Sequence, residues 1–128
     1  MDTNFGGFFN LTHEIIPNML RNKNGSIIAI SSMWGQVGAS CEALYSATKG
    51  AIDSYVKSLA KELGPSGIRV NAVSPGVVKT DMLSCYSEED LKSLADQTPL
   101  ERIGSPEDIA RMVYFLSSDE GSFITGQI

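Results

Sequence analysis

The sequence is short of the residues that build disulfide frameworks, structural metal sites and histidine-based active sites. Its 128 residues include two cysteines, one histidine and one tryptophan. Cys41 and Cys85 do not have the spacing of metal ligands, and two cysteines fit reduced thiols better than a disulfide framework. His13 falls within a predicted helix and has no arrangement of serine, cysteine or acidic residues around it, so we expect a surface position and no catalytic role.

Long apolar runs and an excess of basic residues are also missing. The chain is 42% hydrophobic and 20% charged, with a formal net charge of -5, which is typical of an ordinary folded domain. No apolar run is long enough to cross a bilayer, and no basic stripe invites nucleic acid. Asp2 follows Met1 where a secretory signal would carry basic residues, so we expect one cytoplasmic domain without membrane or nucleic-acid partners.

Two short runs rich in β-branched residues predict the strands of the chain. They cover Ser26 to Ile30 and Ile68 to Ser74, and their apolar character is typical of buried parallel strands. A helix predicted between them makes a right-handed crossover unit in which the two strands are neighbours. The expected fold class is therefore α/β, a parallel sheet with flanking helices. Ser31 and Ser32 follow the first strand, at the edge where α/β proteins bind ligands.

Apolar periodicity predicts two long helices. The first covers about residues 2–21, presents a broad apolar face, and is expected to stop at Gly25 after a charged last turn. The second covers about residues 41–63, and a glycine-bearing loop over residues 35–40 is expected before it. The residues predicted on the polar face of this second helix are Asp53, Lys57 and Lys61.

Two shorter helices are predicted from their capping residues. Ser87 begins a helix that has acidic residues in its first turn and reaches Gln97. Ser105 followed by Pro106 begins a helix that reaches Leu116. The residues predicted to face inward in this last helix are Ile109, Met112, Val113 and Leu116.

Tyr45 and Lys49 stand four residues apart on the second predicted helix, which places both side chains on one face. A nearby ammonium group favours the phenolate of a tyrosine, whose pKa is about 10 when free, so such a pair can exchange protons near neutral pH. A serine hydroxyl donating to the same carbonyl oxygen would give a site that protonates a forming alkoxide. Tyrosine and lysine at this spacing are also common as solvated neighbours, so the pair alone does not decide between the two interpretations.

The order of the motifs resembles the classical short-chain dehydrogenases/reductases over essentially the whole chain. Ser32 precedes Tyr45 by thirteen residues, and Lys49 follows four residues later. Asn4, in D-T-N-F-G-G-F, stands where that family keeps a fourth catalytic residue. Three ordered blocks are far more specific than the tyrosine and lysine alone. The two later blocks are I-R-V-N-A-V-S-P-G-V-V-K-T-D-M, Ile68 to Met82, and P-L-E-R-I-G-S-P-E-D-I-A, Pro99 to Ala110.

The resemblance implies a role for each site residue. Tyr45 would be the acid/base, while Lys49 would favour its ionised form and hold the nicotinamide ribose. Ser32 would orient the carbonyl, and Asn4 would keep a water for proton relay. No metal is implied. The implied cofactor-binding residues are Tyr45, Lys49, Pro75, Gly76, Val78 and Thr80, of which Val78 and Thr80 would bond the carboxamide and phosphate.

The resemblance also implies which part of the fold this chain represents. Residues 1–128 correspond to the C-terminal portion of a single domain, a partial Rossmann-like doubly wound sheet, with residues 83–104 as the substrate lid. The glycine-rich half that holds the cofactor pyrophosphate and the last strand are not found in the sequence. The cofactor is therefore expected to be NADP or NAD, with no preference readable.

Two classes of function follow. The first is an NAD(P)-dependent oxidoreductase moving a hydride between nicotinamide and a ketone or secondary alcohol. It is most like the 3-oxoacyl-(acyl carrier protein) reductases, with a small-molecule or acyl-carrier-bound carbonyl substrate. The second is a catalytically silent oligomerisation or assembly module, because the cofactor pyrophosphate site is missing and the chain alone is expected to be inactive. Both include a homo-oligomer formed through the helices at 2–21 and 41–63.

Overall fold

A computed structural model describes residues 2–128, which form a two-stranded parallel sheet with helices packed against it. Strand β1 (Gly25–Ile30) pairs with strand β2 (Ile68–Val73), and Gly25 lies opposite Ile68 in the register. Both predicted strands are confirmed, each to within one residue at its ends. The α/β class expected from the sequence is confirmed as well.

The helices account for most of the remaining chain. None of those described is long and apolar enough to cross a membrane. The four helices predicted from the sequence are present, and α2 is an addition. The helices are α1 (Gly7–Asn22), α2 (Met33–Val37), α3 (Ala43–Leu63), α4 (Glu88–Asp96) and α5 (Pro106–Ser117). A π-helical turn at Asp2–Gly6 precedes α1, and 3-10 turns occur at Gly64–Ser66, Asp81–Leu83 and Asp119–Gly121.

Helix α2 occupies much of the segment that was predicted as a loop over residues 35–40. Ser32 caps it, since its Oγ accepts a hydrogen bond from the amide of Trp34 at 3.2 Å. Gly35 lies so close to α3 that a Cβ there would be 2.8 Å from the carbonyl carbon of Lys49. The loop prediction was wrong for residues 35–37, because the glycine that suggested a turn serves a close helix contact instead. It is confirmed for residues 38–40, which follow α2 outside any helix.

The core lies between the sheet and α3. Apolar residues recur every three or four positions along α3, so one face of the helix is buried against the strands. This face brings the start of α3, with Tyr45 and Lys49, to the carboxyl edge of the sheet. The core residues are Ile27 and Ala29 of β1, Ile68, Val70 and Ala72 of β2, and Ile52, Val56, Leu59, Ala60 and Leu63 of α3.

Helix α1 packs on α3 through an aromatic cluster. The ring centroid of Tyr55 lies 5.6 Å from that of Phe5 and 5.9 Å from that of Phe8, both in edge-on geometry. The Tyr55 hydroxyl is 2.9 Å from the hydroxyl of the fully buried Thr12. The apolar face predicted for the first helix is therefore partly covered within this chain.

Helix α1 ends at a different residue from the one predicted. Lys23 adopts a φ of 49° in the left-handed region, and its amide bonds the carbonyl groups of Met19 and Leu20. Gly25, the predicted stop, instead begins β1. A Cβ at Gly25 would be 2.6 Å from the Met19 sulfur, so the glycine allows α1 and β1 to lie close together.

Three side chains lie on a different face from the one predicted. Asp53 is buried rather than on the polar face of α3, because it lies between core positions and the C-terminal residues. Met112, predicted to face inward, is exposed, and so is Leu44, which the apolar periodicity of the second predicted helix places on its buried face.

The C-terminal residues pair with the second edge of β2, a feature the sequence did not predict. The amide of Gly126 donates to the carbonyl of Val70 at 2.8 Å. The buried Asn71 side chain holds this tail, because its Nδ2 donates to the Ile124 carbonyl at 2.9 Å and its Oδ1 accepts from the Gln127 amide at 3.0 Å. Within residues 2–128 the opposite edge of the sheet, along β1, pairs with no strand.

Candidate active site

Ser32 lies where β1 ends and α2 begins, at the carboxyl edge of the sheet. The Ser31 amide donates to the Val73 carbonyl at 2.8 Å, which extends the hydrogen bonding between β1 and β2 to this point. Ser32 is 8% exposed. Its Oγ accepts the capping hydrogen bond from Trp34, which leaves the hydroxyl proton available to a further acceptor.

Lys49 is fixed at the same edge by the backbone of β1. Its Nζ donates to the carbonyl of Ile30 at 2.9 Å and lies 5.7 Å from the centroid of the Tyr45 ring. Burial lowers the pKa of Lys49 below its ordinary value, and the negative charge of Asp53 opposes that shift. The structure therefore brings Tyr45 and Lys49 together as their four-residue spacing predicted.

Asn4 reaches the same turn of α3 through an intermediate residue. Its Nδ2 donates to Oγ1 of Thr48 at 3.3 Å, and Thr48 in turn donates to the carbonyl of Tyr45 at 2.7 Å. Asn4 thus touches the segment between Tyr45 and Lys49. The sequence analysis missed Thr48, since a threonine inside a helix carries no signal of its burial.

The loop after β2 is tied to both neighbouring segments. The carbonyl of Pro75 accepts a hydrogen bond from the Met33 amide at 3.0 Å. Val78 forms an isolated parallel bridge with Gly104, in which the amide of Lys79 and the carbonyl of Val77 make the hydrogen bonds. The peptide groups of Val78 itself take no part in that bridge.

A cavity of about 550 Å³, here called the lid cavity, lies between this loop, α2 and residues 94–109. Gly76 and Val78 line it, whereas the predicted site residues Asn4, Ser32, Tyr45, Lys49, Pro75 and Thr80 do not. The structure therefore places part of the predicted cofactor site at the cavity, and Ser32 directly precedes the lining residues Met33 and Trp34. Other side chains at the cavity, missed by the sequence analysis, are Met33, Trp34, Leu94 and Leu100.

An ion pair fixes the C-terminal end of the segment predicted as a lid. Arg102 bonds Asp108 through both guanidinium nitrogens, at 2.7 and 3.3 Å. Asp108 also accepts from the Ser105 amide at 2.8 Å and completes the capping box of α5. The hydrogen bond from Arg102, followed by that from Ser105, holds the pKa of the Asp108 carboxyl well below its usual range.

The residues predicted to hold a dinucleotide fit its nicotinamide end. Thr80 precedes the 3-10 turn, and its hydroxyl carries a proton that can be donated to a phosphate. The Val78 peptide groups, outside the bridge to Gly104, suit a carboxamide. Gly76 is exposed beside Met33, which allows a flat ring to approach the backbone. Residues 2–128 contain no group of side chains suited to binding a metal ion.

A parallel α/β unit with serine, tyrosine and lysine at its carboxyl edge is the arrangement of the short-chain dehydrogenases/reductases. The chain belongs to this family: the family model described as enoyl-(acyl carrier protein) reductase matches residues 1–128. An uncharacterized oxidoreductase of Bacillus subtilis, YmfI, is 53% identical over 118 residues, covering 92% of this chain and 49% of the relative. The chain spans about half the length of the curated relatives it matches.

Solved structures share the fold over nearly the whole chain. A 3-oxoacyl-[acyl-carrier protein] reductase from Brucella melitensis with bound NAD has a TM-score of 0.88 and 38% identity, covering 98% of this chain and 46% of its own. ElxO with NADP bound has a TM-score of 0.91 and 31% identity, covering 97% of this chain and 51% of its own. Both structures are more than 30% identical to this chain, so the likeness extends from the fold to the amino-acid sequence.

Proposed function

We propose that this chain carries the catalytic residues of an NAD(P)-dependent oxidoreductase that moves a hydride between nicotinamide and a ketone or secondary alcohol. One observation carries the proposal: the Lys49 ammonium is held by the Ile30 carbonyl beside the ring of Tyr45. Ser32, at the same strand end, has a proton to donate. The names of the similar proteins, oxidoreductase and 3-oxoacyl-[acyl-carrier protein] reductase, support the same class of reaction.

In this proposal the chain's residues handle the proton. Ser32 donates a hydrogen bond to the substrate carbonyl oxygen and polarises it. Tyr45 transfers its phenolic proton to that oxygen as the alkoxide forms, and Lys49 stabilises the phenolate left behind. Asn4, anchored on Thr48, keeps a water for returning the proton. Bound NAD or NADP supplies the hydride in reduction and accepts it in oxidation.

The cofactor contacts follow from the same geometry. Tyr45 and Lys49 bind the nicotinamide ribose, and the turn at Pro75 and Gly76 lets the ring lie against the backbone. The Val78 peptide groups bond the carboxamide, and the Thr80 hydroxyl bonds a phosphate.

For the substrate we propose a 3-oxoacyl group presented on an acyl carrier. The lid cavity is lined largely by apolar side chains, including Trp34, Leu94 and Leu100, which suit the alkyl part of such a group. Residues 83–104 then act as the substrate lid of a domain whose remaining part lies outside this chain.

Dinucleotide binding by the 128-residue chain tests the proposal directly. NADH or NADPH fluorescence should change on titration with the chain, and Lys49→Ala should weaken that change because the ribose loses its ammonium partner. Lys92→Ala, at an exposed position of α4, is the matched control. An equal response from the wild type and Lys49→Ala would contradict the proposed role of Lys49.

A silent assembly module is the second candidate. It is favoured by the edge of β1 left without a strand among residues 2–128 and by the exposed Leu11 and Leu44 on α1 and α3. These two helices are the surfaces we propose for a homo-oligomer. A chain that self-associates but gives no fluorescence response with either dinucleotide would support this candidate.

A further inference from the structure

Asp53 is a buried residue with one carboxylate oxygen, Oδ1, that has no hydrogen-bond partner among residues 2–128. The residue is 6% exposed. A buried carboxylate that lacks donors needs a nearby opposite charge to stabilise it, and such a pairing would give Asp53 a use.

The position of Asp53 on α3 indicates that use. Lys49 precedes it by four residues and Lys57 follows it by four, so the three side chains lie along one side of the helix. Lys57 is exposed, whereas Lys49 is half-buried under α2, where Gly35 lies on its backbone. Water can therefore stabilise the charge of Lys57 far better than that of Lys49.

We propose that Asp53 is a positioning residue whose buried carboxylate keeps the half-buried Lys49 ammonium charged beside Tyr45. This inference rests on the proposed oxidoreductase function, in which a charged Lys49 stabilises the Tyr45 phenolate. Asp53 acts through Lys49 and contacts neither substrate nor cofactor. The opposing effects of burial and of Asp53 on the pKa of Lys49 agree with it.

Among the groups around Lys49 and Tyr45, Asp53 is the main source of negative charge. Helix α2 contributes no titratable residue, and β1 contributes the uncharged Ile30 carbonyl. Tyr45 is the other titratable group beside Lys49. A second cavity of about 510 Å³ borders Asp53, and it is also lined by Lys57 and by residues 126–128.

Titration of the lysines in the 128-residue chain tests the inference without any cofactor. The lysines are reductively methylated with a ¹³C label and followed by NMR, and the Lys49 signal is assigned as the one missing from Lys49→Arg. In Asp53→Asn we expect roughly tenfold more neutral Lys49 amine at a fixed pH below its midpoint, the effect of losing one nearby opposite charge.

Two controls separate positioning from a general effect. Glu62→Gln removes the same charge from the exposed face of α3 and should leave the Lys49 titration unchanged, while Asp53→Glu should restore it. Asp53→Asn should remain folded, since asparagine keeps the size of the side chain and removes only its charge. An unchanged Lys49 titration in Asp53→Asn, or a loss of stability with no change at Lys49, would overturn the inference.

The Lys49 titration and the dinucleotide-binding test can give different results, so the inference and the proposed function can fail separately. If Lys49 shifts in Asp53→Asn but no dinucleotide binds, the charge coupling stands and the oxidoreductase proposal fails. If dinucleotides bind and Lys49 does not shift, the function stands and this inference fails. In an active longer protein, Asp53→Asn should also move the alkaline fall of turnover to lower pH, since Lys49 would lose its proton earlier.

Discussion

Lys49 connects the residues of the candidate site, because its ammonium contacts the end of β1 and approaches the ring of Tyr45. Its half-buried position disfavours the charged form, which the proposed chemistry requires. The carbonyl of Ile30 and the charge of Asp53 both counter that effect. The chemistry proposed for Tyr45 therefore depends on neighbours that never touch the substrate.

Tyr45→Phe should abolish turnover in a longer protein that contains this chain, while the affinity for dinucleotide falls far less, because the Lys49 contact to the ribose remains. The substitution removes the transferable proton and retains the ring, so the loss should fall on kcat. Steady-state kinetics and dinucleotide fluorescence measure the two quantities. Tyr114→Phe, at an exposed position of α5, is the control; turnover by Tyr45→Phe close to that of the control would rule out Tyr45 as the acid/base.

At the scale of elements, α4 and α5 both begin with a serine N-cap, but the two helices lie in different surroundings. Ser87 and Ser105 each cap their helix by accepting a hydrogen bond from the amide three residues later. Helix α4 buries none of its residues fully, whereas α5 buries Leu116 and its C-terminal carbonyl groups accept hydrogen bonds from Arg69. The same cap should therefore matter more for global unfolding in α5.

Ser105→Ala should lower the free energy of unfolding by about 1 kcal/mol, a typical value for loss of an N-cap. Ser87→Ala should lower it by less, because α4 can fray without disturbing the sheet. Urea denaturation of the two variants gives the comparison. Equal losses would show that the segment containing α4 unfolds together with the core.

Asp108 should make the stability of α5 depend on acidity. Its folded pKa lies below the ordinary value of 3.8, first because of Arg102 and then because of the Ser105 amide. Between the two pKa values the unfolded chain binds more protons, so the stabilisation is complete above pH 3.8 and is lost as pH falls toward the folded pKa. Acid titrations followed by circular dichroism should show wild type losing this contribution below about pH 4.

Asp108→Asn is the test variant for that dependence. It should be less stable than wild type at neutral pH, and the difference should narrow as the pH falls below 3.8. Asp96→Asn, at the exposed end of α4, is the control for a change of net charge. A difference between wild type and Asp108→Asn that stays constant down to pH 2 would contradict the prediction.

At the scale of the whole molecule, apolar side chains remain on the surface of α1 and α3. Leu11 is 59% exposed and Leu44 is 68% exposed, and the outer edge of β1 presents backbone groups that no strand among residues 2–128 pairs. An edge of this kind is a template for another chain. The molecule therefore has surfaces suited to a second copy, with two-fold pairing as the expected form.

We predict that the 128-residue chain is not a monomer in solution, and that Leu11→Lys or Leu44→Lys shifts it toward the monomer. A charge on either helix would have to be desolvated in the interface. Light scattering gives the mass of each species against the 13.8 kDa chain. Leu100→Lys, in the segment predicted as a lid, should leave the mass unchanged; a compact wild-type monomer that melts cooperatively would refute the prediction.

Much of the fold could be predicted because it depends on local patterns. The strands, the long helices and the caps at Ser87 and Ser105 follow from periodicity and from residues that satisfy helix ends. The pairing of Tyr45 with Lys49 follows from helical spacing alone. The roles assigned to Ser32, Asn4, Pro75 and Thr80 came from family resemblance and stay predictions.

The remaining features depended on which surfaces meet in space. Gly35 was predicted to lie in a loop, but it lies in α2 where that helix contacts α3. Asp53 was predicted to lie on a polar face, but it is buried beside the C-terminal residues. The C-terminal residues pair with the edge of β2 because the Asn71 side chain bonds them through both ends of its amide. Its Nδ2 donates to the Ile124 carbonyl and its Oδ1 accepts from the Gln127 amide. Periodicity reports which face of an element is apolar, but only packing decides what covers that face and which polar group is left buried beside it.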